Sequence, residues 1–418
     1  FQSSEQCAEC HPDQYNQWSR SMHSFTAFDP KFFNDWYNEQ YKRPETGEDF
    51  CSQCHLPVGY LVDMPMGGHT TPDEFHRSDI PPQIKDAVSC SFCHSMVETS
   101  SSIHTDPMLS GNARAVAEYF LFPGENIQFG SIPDPEENNF HRSEFNPIYK
   151  ESESCLPCHN HIIRNKLIET TFSEWNSNSF VGMTGEPSCQ SCHMKEYIGQ
   201  AATGSKERLI HNHNFVGVGL DLTRTINNDD QWFKDTSELL KTALSIEYLS
   251  DKSIFSASSS DSIDFLVSIK SKTAHSIPTG NAFVRQAWLE FVIYSGQDTI
   301  FTSGLINSNT DKLDSTTDLV VFSSELLDSE GRHTYSASDA YNYSSTQLLS
   351  YGEVVKEFRF PTSLIDSFST ITVSSRMLFR PYKPDVLELS HPDLLENMPV
   401  FEMFSITEDY IINELNYD

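Results

Sequence analysis

The chain has 418 residues, with 28 Lys+Arg against 59 Asp+Glu and a formal net charge of −31. That balance argues against nucleic-acid phosphate and anionic membrane surfaces as partners. Split at residue 210, the two parts carry 14 basic and 29 acidic, then 14 basic and 30 acidic residues, so no basic half hides in the total.

The length suits two or three domains. No apolar run approaches the roughly 18 residues a membrane helix needs. No signal peptide stands at Phe1, and the chemistry below demands export, so the expected form is the mature, processed chain.

In chain order, the first signal is CAECH (Cys7, Cys10, His11), followed by a helical stretch predicted over Asp13 to His23. CSQCH (Cys51, Cys54, His55) and CSFCH (Cys90, Cys93, His94) come next, with loops marked by Pro65–Gly68 and Pro81–Pro82. A helix is predicted over Ser110 to Phe122 and a loop at Pro133–Pro135. CLPCH (Cys155, Cys158, His159), a helix over Thr171 to Ser179 and CQSCH (Cys189, Cys192, His193) complete this region.

Beyond about residue 205 no cysteine remains, and Ser and Thr rise, notably over Ser253 to Ser262. Asp230 to Leu249 reads as a helix. Alternating patterns at Ile263 to Lys270, Ala287 to Tyr294, Glu353 to Phe360 and Ile371 to Phe379 read as half-buried strands of a β-sandwich. Pro392 to Tyr417 reads as partly helical. The expected fold class is α + β multidomain. A loop-rich, mostly helical domain spans 1–210, a helical connector 211–250, a β-sandwich domain 251–390 and a C-terminal segment 391–418.

All ten cysteines fall in five copies of C-x-x-C-H, the attachment signature of c-type haem. Two thiols three positions apart can each form a thioether to one porphyrin edge, and the adjacent imidazole then reaches the iron as proximal ligand. A zinc half-site or a redox dithiol would account for a single copy, not for five copies each followed by His. Disulfides would leave the five histidines as coincidence. The expectation is five covalent haems (iron), attached outside the cytoplasm. First cysteines are separated by 44, 39, 65 and 34 residues, which is not a simple tandem repeat. Fewer than forty residues serve each motif, so the porphyrins themselves must supply much of the buried apolar surface.

Each iron has two axial positions, and five proximal histidines fill one each. Eleven histidines remain for the other: His23, His69, His76, His104, His141, His161, His211, His213, His275, His333 and His391. Methionine could also serve and would raise the potential, but the histidine surplus favours bis-histidine ligation. His161, two residues past a proximal histidine, cannot reach the far side of its own iron but could reach that of a neighbouring haem. His275 lies in HSIPTG, a tight turn at a strand end.

The phrases CAECHPDQYNQWSRSMH, VSCSFCHSM, FHRSEFNPIYKESESCLPCHN, FSEWNSNSF to CQSCHM, HNHNFVG and HSIPTGNAFVRQAWLEF resemble the exported multihaem c-type cytochromes. These are related to the tetrahaem cytochrome c of ammonia oxidisers, to pentahaem nitrite reductase and to hydroxylamine oxidoreductase. LFRPYKP and NMPVFEM match versions with a C-terminal β-domain. The group includes subunits of extracellular cytochrome filaments. By this resemblance His23, His141, His213 and His275 are the distal candidates. His161 is a fifth, argued from haem-pair geometry, and His104 and His211 are reserves. Filament-forming relatives can also borrow a ligand from the next subunit. The sequence departs from the nitrite reductases, whose catalytic motif carries Lys where all five motifs here end in His, and it shows no signature for a tyrosine cross-linked to haem.

The leading expectation is an electron conduit at the cell surface or outside the cell, polymerising into a filament, with other redox proteins or extracellular acceptors as partners. A discrete periplasmic carrier is the alternative. A reductase or oxidase of small nitrogen or sulfur species would need an open iron and a nearby proton donor or anion holder, for which Arg114, Arg142 and Arg164 are available. A third reading makes the β-domain a sugar- or mineral-binding module, with Trp232, Trp288 and the tyrosines from Tyr335 to Tyr351 at its site.

Overall fold

The structure, a computed structural model, describes residues 1–26, 29, 52–62, 80–99, 119–124, 126–163, 166–178, 187–227, 229–257, 262–336, 339–365 and 370–415. Two compact units emerge. The first comprises Phe1–Thr236, Leu326–Tyr343 and Leu387–Asn397; the second comprises Ser237–Glu325, Ser344–Val386 and Met398–Asp418.

Short helices and small strand pairs make up the first unit. The predicted helix over Asp13 to His23 is two helices, Pro12–Trp18 and Met22–Phe25, broken at Ser19–Ser21. Pro12 starts the first, where its missing N–H costs nothing. The Ser21 and Ser24 hydroxyls turn back onto the Trp18 and Ser21 carbonyls, a local competition that ends the helix there. The helix expected at Ser110 to Phe122 is overturned at its end: Tyr119–Leu121 is a strand, and 110–118 lie outside the described residues. Thr171–Ser177 is helical as expected.

Four two-stranded sheets replace the mostly helical picture: β1 (Met96–Thr99) with β2 (Tyr119–Leu121), β3 (Ile127–Gly130) with β4 (Arg142–Phe145), β5 (His161–Ile163) with β6 (Lys166–Glu169), and β7 (Glu196–Gln200) with β8 (Glu207–His211). One apolar cluster of this unit joins Leu56, Val58, Ile80, Ile84, Ala87, Phe92 and Met96.

The second unit is β-rich. Its strands are β9 (Leu244–Tyr248), β10 (Ser253–Ala257), β11 (Ser262–Ser271), β12 (Gln286–Ser295), β13 (Asp298–Ser303) and β14 (Val320–Phe322). After β15 (Ser324–Leu327), β16 (His333–Thr334) and β17 (Asn342–Ser345), which form a small sheet, come β18 (Glu353–Pro361), β19 (Thr370–Arg380) and β20 (Phe401–Leu415). One sheet runs β10-β20-β19-β12-β13, with β14 also on β12, and a second runs β18-β11-β9. Aromatic rings join them: Phe291 of β12 stacks on Phe358 of β18 at 4.0 Å, and Phe265 of β11 meets Tyr410 of β20 edge-on at 4.9 Å.

Two expectations fail in this part of the chain. The helix predicted to Leu249 stops at Lys241, and Leu244–Tyr248 is a strand whose Leu244 and Ile246 alternate inward. The C-terminal segment, expected to be partly helical, is helical only as a 3₁₀ turn at Pro392–Asn397, and the fifteen-residue β20 follows it. Trp288 is fully buried with its N–H on the Gly304 carbonyl, and Trp232 is buried as well, so neither lines an open binding surface.

Candidate functional site

The first, third and fourth C-x-x-C-H motifs sit on a tight turn, while Ser52–His55 and Cys189–His193 of the second and fifth are short helices. The N–H of His11, His94 and His159 donates to the carbonyl of Cys7, Cys90 and Cys155 at 2.8, 2.9 and 3.0 Å. One α-turn therefore carries both thiols and the imidazole to one side. Ser89 and Ser188 cap the third and fifth motifs, accepting from the N–H of Phe92 and Ser191. Cys51 lies outside the described residues.

The motifs dock on one another. Ser4, three residues before Cys7, accepts from the Cys90 N–H at 3.3 Å; Ser152, three before Cys155, accepts from the Cys189 N–H at 3.0 Å. The thiols of each pair are hydrogen-bonded. That bond with Cys90 lowers Cys7, while the same bond and burial push Cys90 up. Cys189 is lowered by its bond with Cys155, whose thiol that bond and burial raise. Burial, then the neighbouring Cys158, pushes Cys93 up to about 12. Cys54 of the second motif donates to the Pro157 carbonyl inside the fourth. Among the described residues no three ligands converge on a bare metal ion.

Three motif imidazoles meet three remote ones. His11 faces His141 at 6.1 Å between ring centroids, His94 faces His213 at 6.2 Å, and His159 faces His23 at 6.3 Å. The planes of the first two pairs are 26° and 21° apart, those of the third 54°. Two metal–nitrogen bonds of about 2 Å plus two imidazole radii give a separation of about 6 Å, so each pair has the spacing of two axial ligands on one metal.

The other ring nitrogens agree. Nδ1 of His11, His94 and His193 lies 2.6, 2.6 and 2.5 Å from the carbonyls of Ala201, Phe129 and Val216. A carbonyl only accepts, so Nδ1 carries the proton and Nε2 keeps its lone pair for a metal. Burial, then the neighbouring imidazoles, holds His23 and His213 down at about 3, and burial lowers His94 as well. All three are thus neutral, as ligands must be. The residues present fit the group that the motifs imply.

The remaining candidates are less defined. His161 begins β5, paired with Glu169, and its side chain lies outside the described ones. His275 belongs to the second unit, with Nδ1 3.0 Å from its neighbour's carbonyl at Ser276. His211 turns Nδ1 to the Met194 carbonyl at 2.7 Å and stands 3.6 Å from Glu196. His104, His69, His76, Arg114 and Arg164 lie outside the described residues, and Arg142 pairs with Glu144 on the surface.

Sequence reading missed three contributors. Ser4 and Ser152 share the phrase S-E-x-C, a signal present but unread. Phe215 has φ of 43° and its ring lies 4.5 Å from His23 and 5.8 Å from His213. A bulky residue in that region carries backbone strain of about 1–3 kcal/mol, and no sequence signal announces it.

The chain is similar to the family described as "Cytochrome c554 and c-prime", whose model matches residues 6–95. No curated protein matches it. Among solved structures it is similar to a penta-heme cytochrome c552 from Thermochromatium tepidum, at 19% identity, over 98% of each chain and with a TM-score of 0.67. The likeness runs through both units and shows a shared fold. AggA, the major fimbrial subunit from Escherichia coli, aligns with 41% of this chain and 95% of its own at 8% identity, with a TM-score of only 0.18.

Proposed function

We propose that the chain is a multihaem c-type cytochrome that transfers electrons. It would carry five covalent haems, one on each C-x-x-C-H motif, with proximal ligands His11, His55, His94, His159 and His193. The carrying observation is the set of three imidazole pairs, each joining a motif histidine to one remote in sequence at 6.1–6.3 Å. His141, His213 and His23 would be the distal ligands of the first, third and fourth motifs. His161 and His275 stay proposed for the second and fifth. Haem supplies reversible one-electron chemistry at iron.

The chain's own residues do the rest. Two imidazoles per metal give low-spin centres that exchange electrons with little rearrangement, and buried neutral rings need no proton to follow the electron. The five motifs form one connected set. Ser4 joins the first to the third, and Ser152 joins the fourth to the fifth. Cys54 joins the second to the fourth, and Phe215 touches the remote histidines of the third and fourth. Tunnelling falls steeply with distance, so such contiguity is what a conduit requires. The comparisons with cytochrome c554 and with the penta-heme cytochrome c552 support this reading.

The reading extends to an exported, extracellular location and to polymerisation into a filament, with redox proteins or extracellular acceptors at its ends. Phe140, Ile198 and Leu209 are 73%, 67% and 55% exposed in the first unit, and Ile198 and Leu209 face each other across β7 and β8. Such a pair is surface a second copy could cover.

A pyridine haemochrome assay with intact mass measurement tests the haem reading: five haems per chain are expected, and a chain exported without thioether-bound haem would overturn it. Negative-stain microscopy of protein sheared from its native cells tests assembly. Threads of uniform repeat are expected, and discrete particles at every concentration would remove the filament.

A further inference from the structure

Residues 211–217, HNHNFVG, serve three imidazole ligands at once. His213 faces His94, the Val216 carbonyl holds Nδ1 of His193, and Phe215 sits between His23 and His213. The segment is fixed at four places. The Asn212 N–H bonds the Lys195 carbonyl at 3.1 Å, the His213 N–H bonds Gln17 at 2.7 Å, and the Val216 N–H bonds the His193 carbonyl at 3.3 Å. Thr236 donates to the Gly217 carbonyl at 2.9 Å.

This explains why Phe215 keeps a left-handed backbone that a bulky residue otherwise avoids. Strain persists only where the surroundings over-determine it, and it concentrates where geometry serves function. Its ring meets His23 edge-on at 61° and His213 edge-on at 86°. An edge-to-face contact fixes the plane of each partner ring. His23 has further need of this, because its buried Nδ1 has no hydrogen-bond partner among the described residues. A ligand imidazole is ordinarily oriented by a bond from that nitrogen; here the aromatic contact takes over the task.

We propose that Phe215 is a positioning residue for two redox sites together, setting the imidazole planes of His23 and His213 and coupling the third and fourth motifs. This rests on the haem reading above. Its strained backbone is the cost of placing one ring against two ligands that belong to different metals.

The test uses the haem-loaded full chain, with Phe215→Leu, Phe215→Met and Phe215→Tyr. The readouts are the low-spin ferric EPR signals, which report the relative orientation of the axial imidazole planes, and a potentiometric titration. Haem content controls for folding. Phe215→Tyr keeps the ring and is expected to match the parent. Phe215→Leu and Phe215→Met are expected to move two of the low-spin signals and two midpoint potentials, leaving the others in place, at unchanged haem content. If one of these two loads poorly, the other decides. Signals and potentials unchanged in a fully loaded Leu or Met variant would overturn the inference, as would a shift at all sites alike. A parent protein lacking low-spin haem would instead sink the haem reading itself, before any variant is compared.

Discussion

The Ser4 hydroxyl accepts the backbone N–H of Cys90, a residue 86 positions later, and does so while completely buried. Ser152 repeats the relationship with Cys189, again three residues before the first cysteine of its own motif. The first and third motifs therefore form one docked pair and the fourth and fifth another. The chain has an internal repeat of motif pairs that irregular spacing hides.

Replacing either serine by Ala leaves a buried N–H with no acceptor, which costs about 1–3 kcal/mol. Ser4→Ala and Ser152→Ala should lower stability by similar amounts in guanidinium unfolding of the haem-loaded protein. The double variant should show their sum within about 0.5 kcal/mol, because the sites share no partner. A coupling well above that would mean that the two pairs are not separate.

The β-rich unit should tolerate losses on its surface and not in its core. Phe358 is fully buried and stacked on Phe291 at 4.0 Å. Phe358→Ala should cost about 3–5 kcal/mol. Its strand neighbour Arg359 forms an ion pair with Asp264 at 2.6 Å, but the side chains are 63% and 49% exposed. Arg359→Ala should then cost less than about 1 kcal/mol. Denaturant midpoints followed by Trp288 fluorescence compare the two, and equal losses would contradict this division.

Much of the site was legible in the sequence, for identifiable reasons. Cys-x-x-Cys-His is a local signal, and the structure sets the rings of His141, His23 and His213 at 6.1, 6.3 and 6.2 Å from the motif histidines His11, His159 and His94. What stayed illegible depends on the third dimension. Nothing in HNHNFVG announces that Phe215 turns left-handed, because four anchors from residues 17, 193, 195 and 236 impose it. In β20 the acidic residues Glu402 and Asp409 read against a strand, yet they stand exposed while Phe401, Met403, Tyr410 and Ile412 are buried. A burial pattern of period two, broken by a register shift opposite Met377/Leu378, conceals the strand from a simple periodicity reading.

Lys383 gives the second unit a pH dependence of definite sign. Burial pulls its ammonium down to about 8 while it donates to the Ser324 carbonyl at 2.9 Å. Unfolded, it titrates near its ordinary 10.5. Between these values the unfolded chain holds more protons, so this group makes stability rise with pH from about 8 to about 10.5. Tyr248 and Tyr410 act oppositely above pH 10, because burial raises both and keeps them protonated while folded. Lys383→Met should remove the rise and keep the alkaline fall. Unfolding free energies from pH 7 to 11 for both proteins check this; an unchanged rise in the variant would assign it elsewhere.

Removing one remote imidazole at a time tests the ligand pairs directly. His23→Gly, His141→Gly and His213→Gly should each give one high-spin, carbon monoxide-binding haem while the others stay low-spin, since each proximal partner loses the ring that faces it at 6.1–6.3 Å. Rescue by added imidazole should differ among them. His141 is only half-buried, with Ser143 beside it at 3.3 Å, so its vacated place should refill readily. His23 and His213 are likewise half-buried as residues, but their Nδ1 atoms are buried and burial holds both rings down at about 3, so their sites are the less accessible to external imidazole. Rescue at His141 should therefore be the fastest of the three. Equal rescue rates would show that burial in the isolated chain does not govern access to these sites, whereas a variant that stays wholly low-spin would show that its histidine is not an axial ligand.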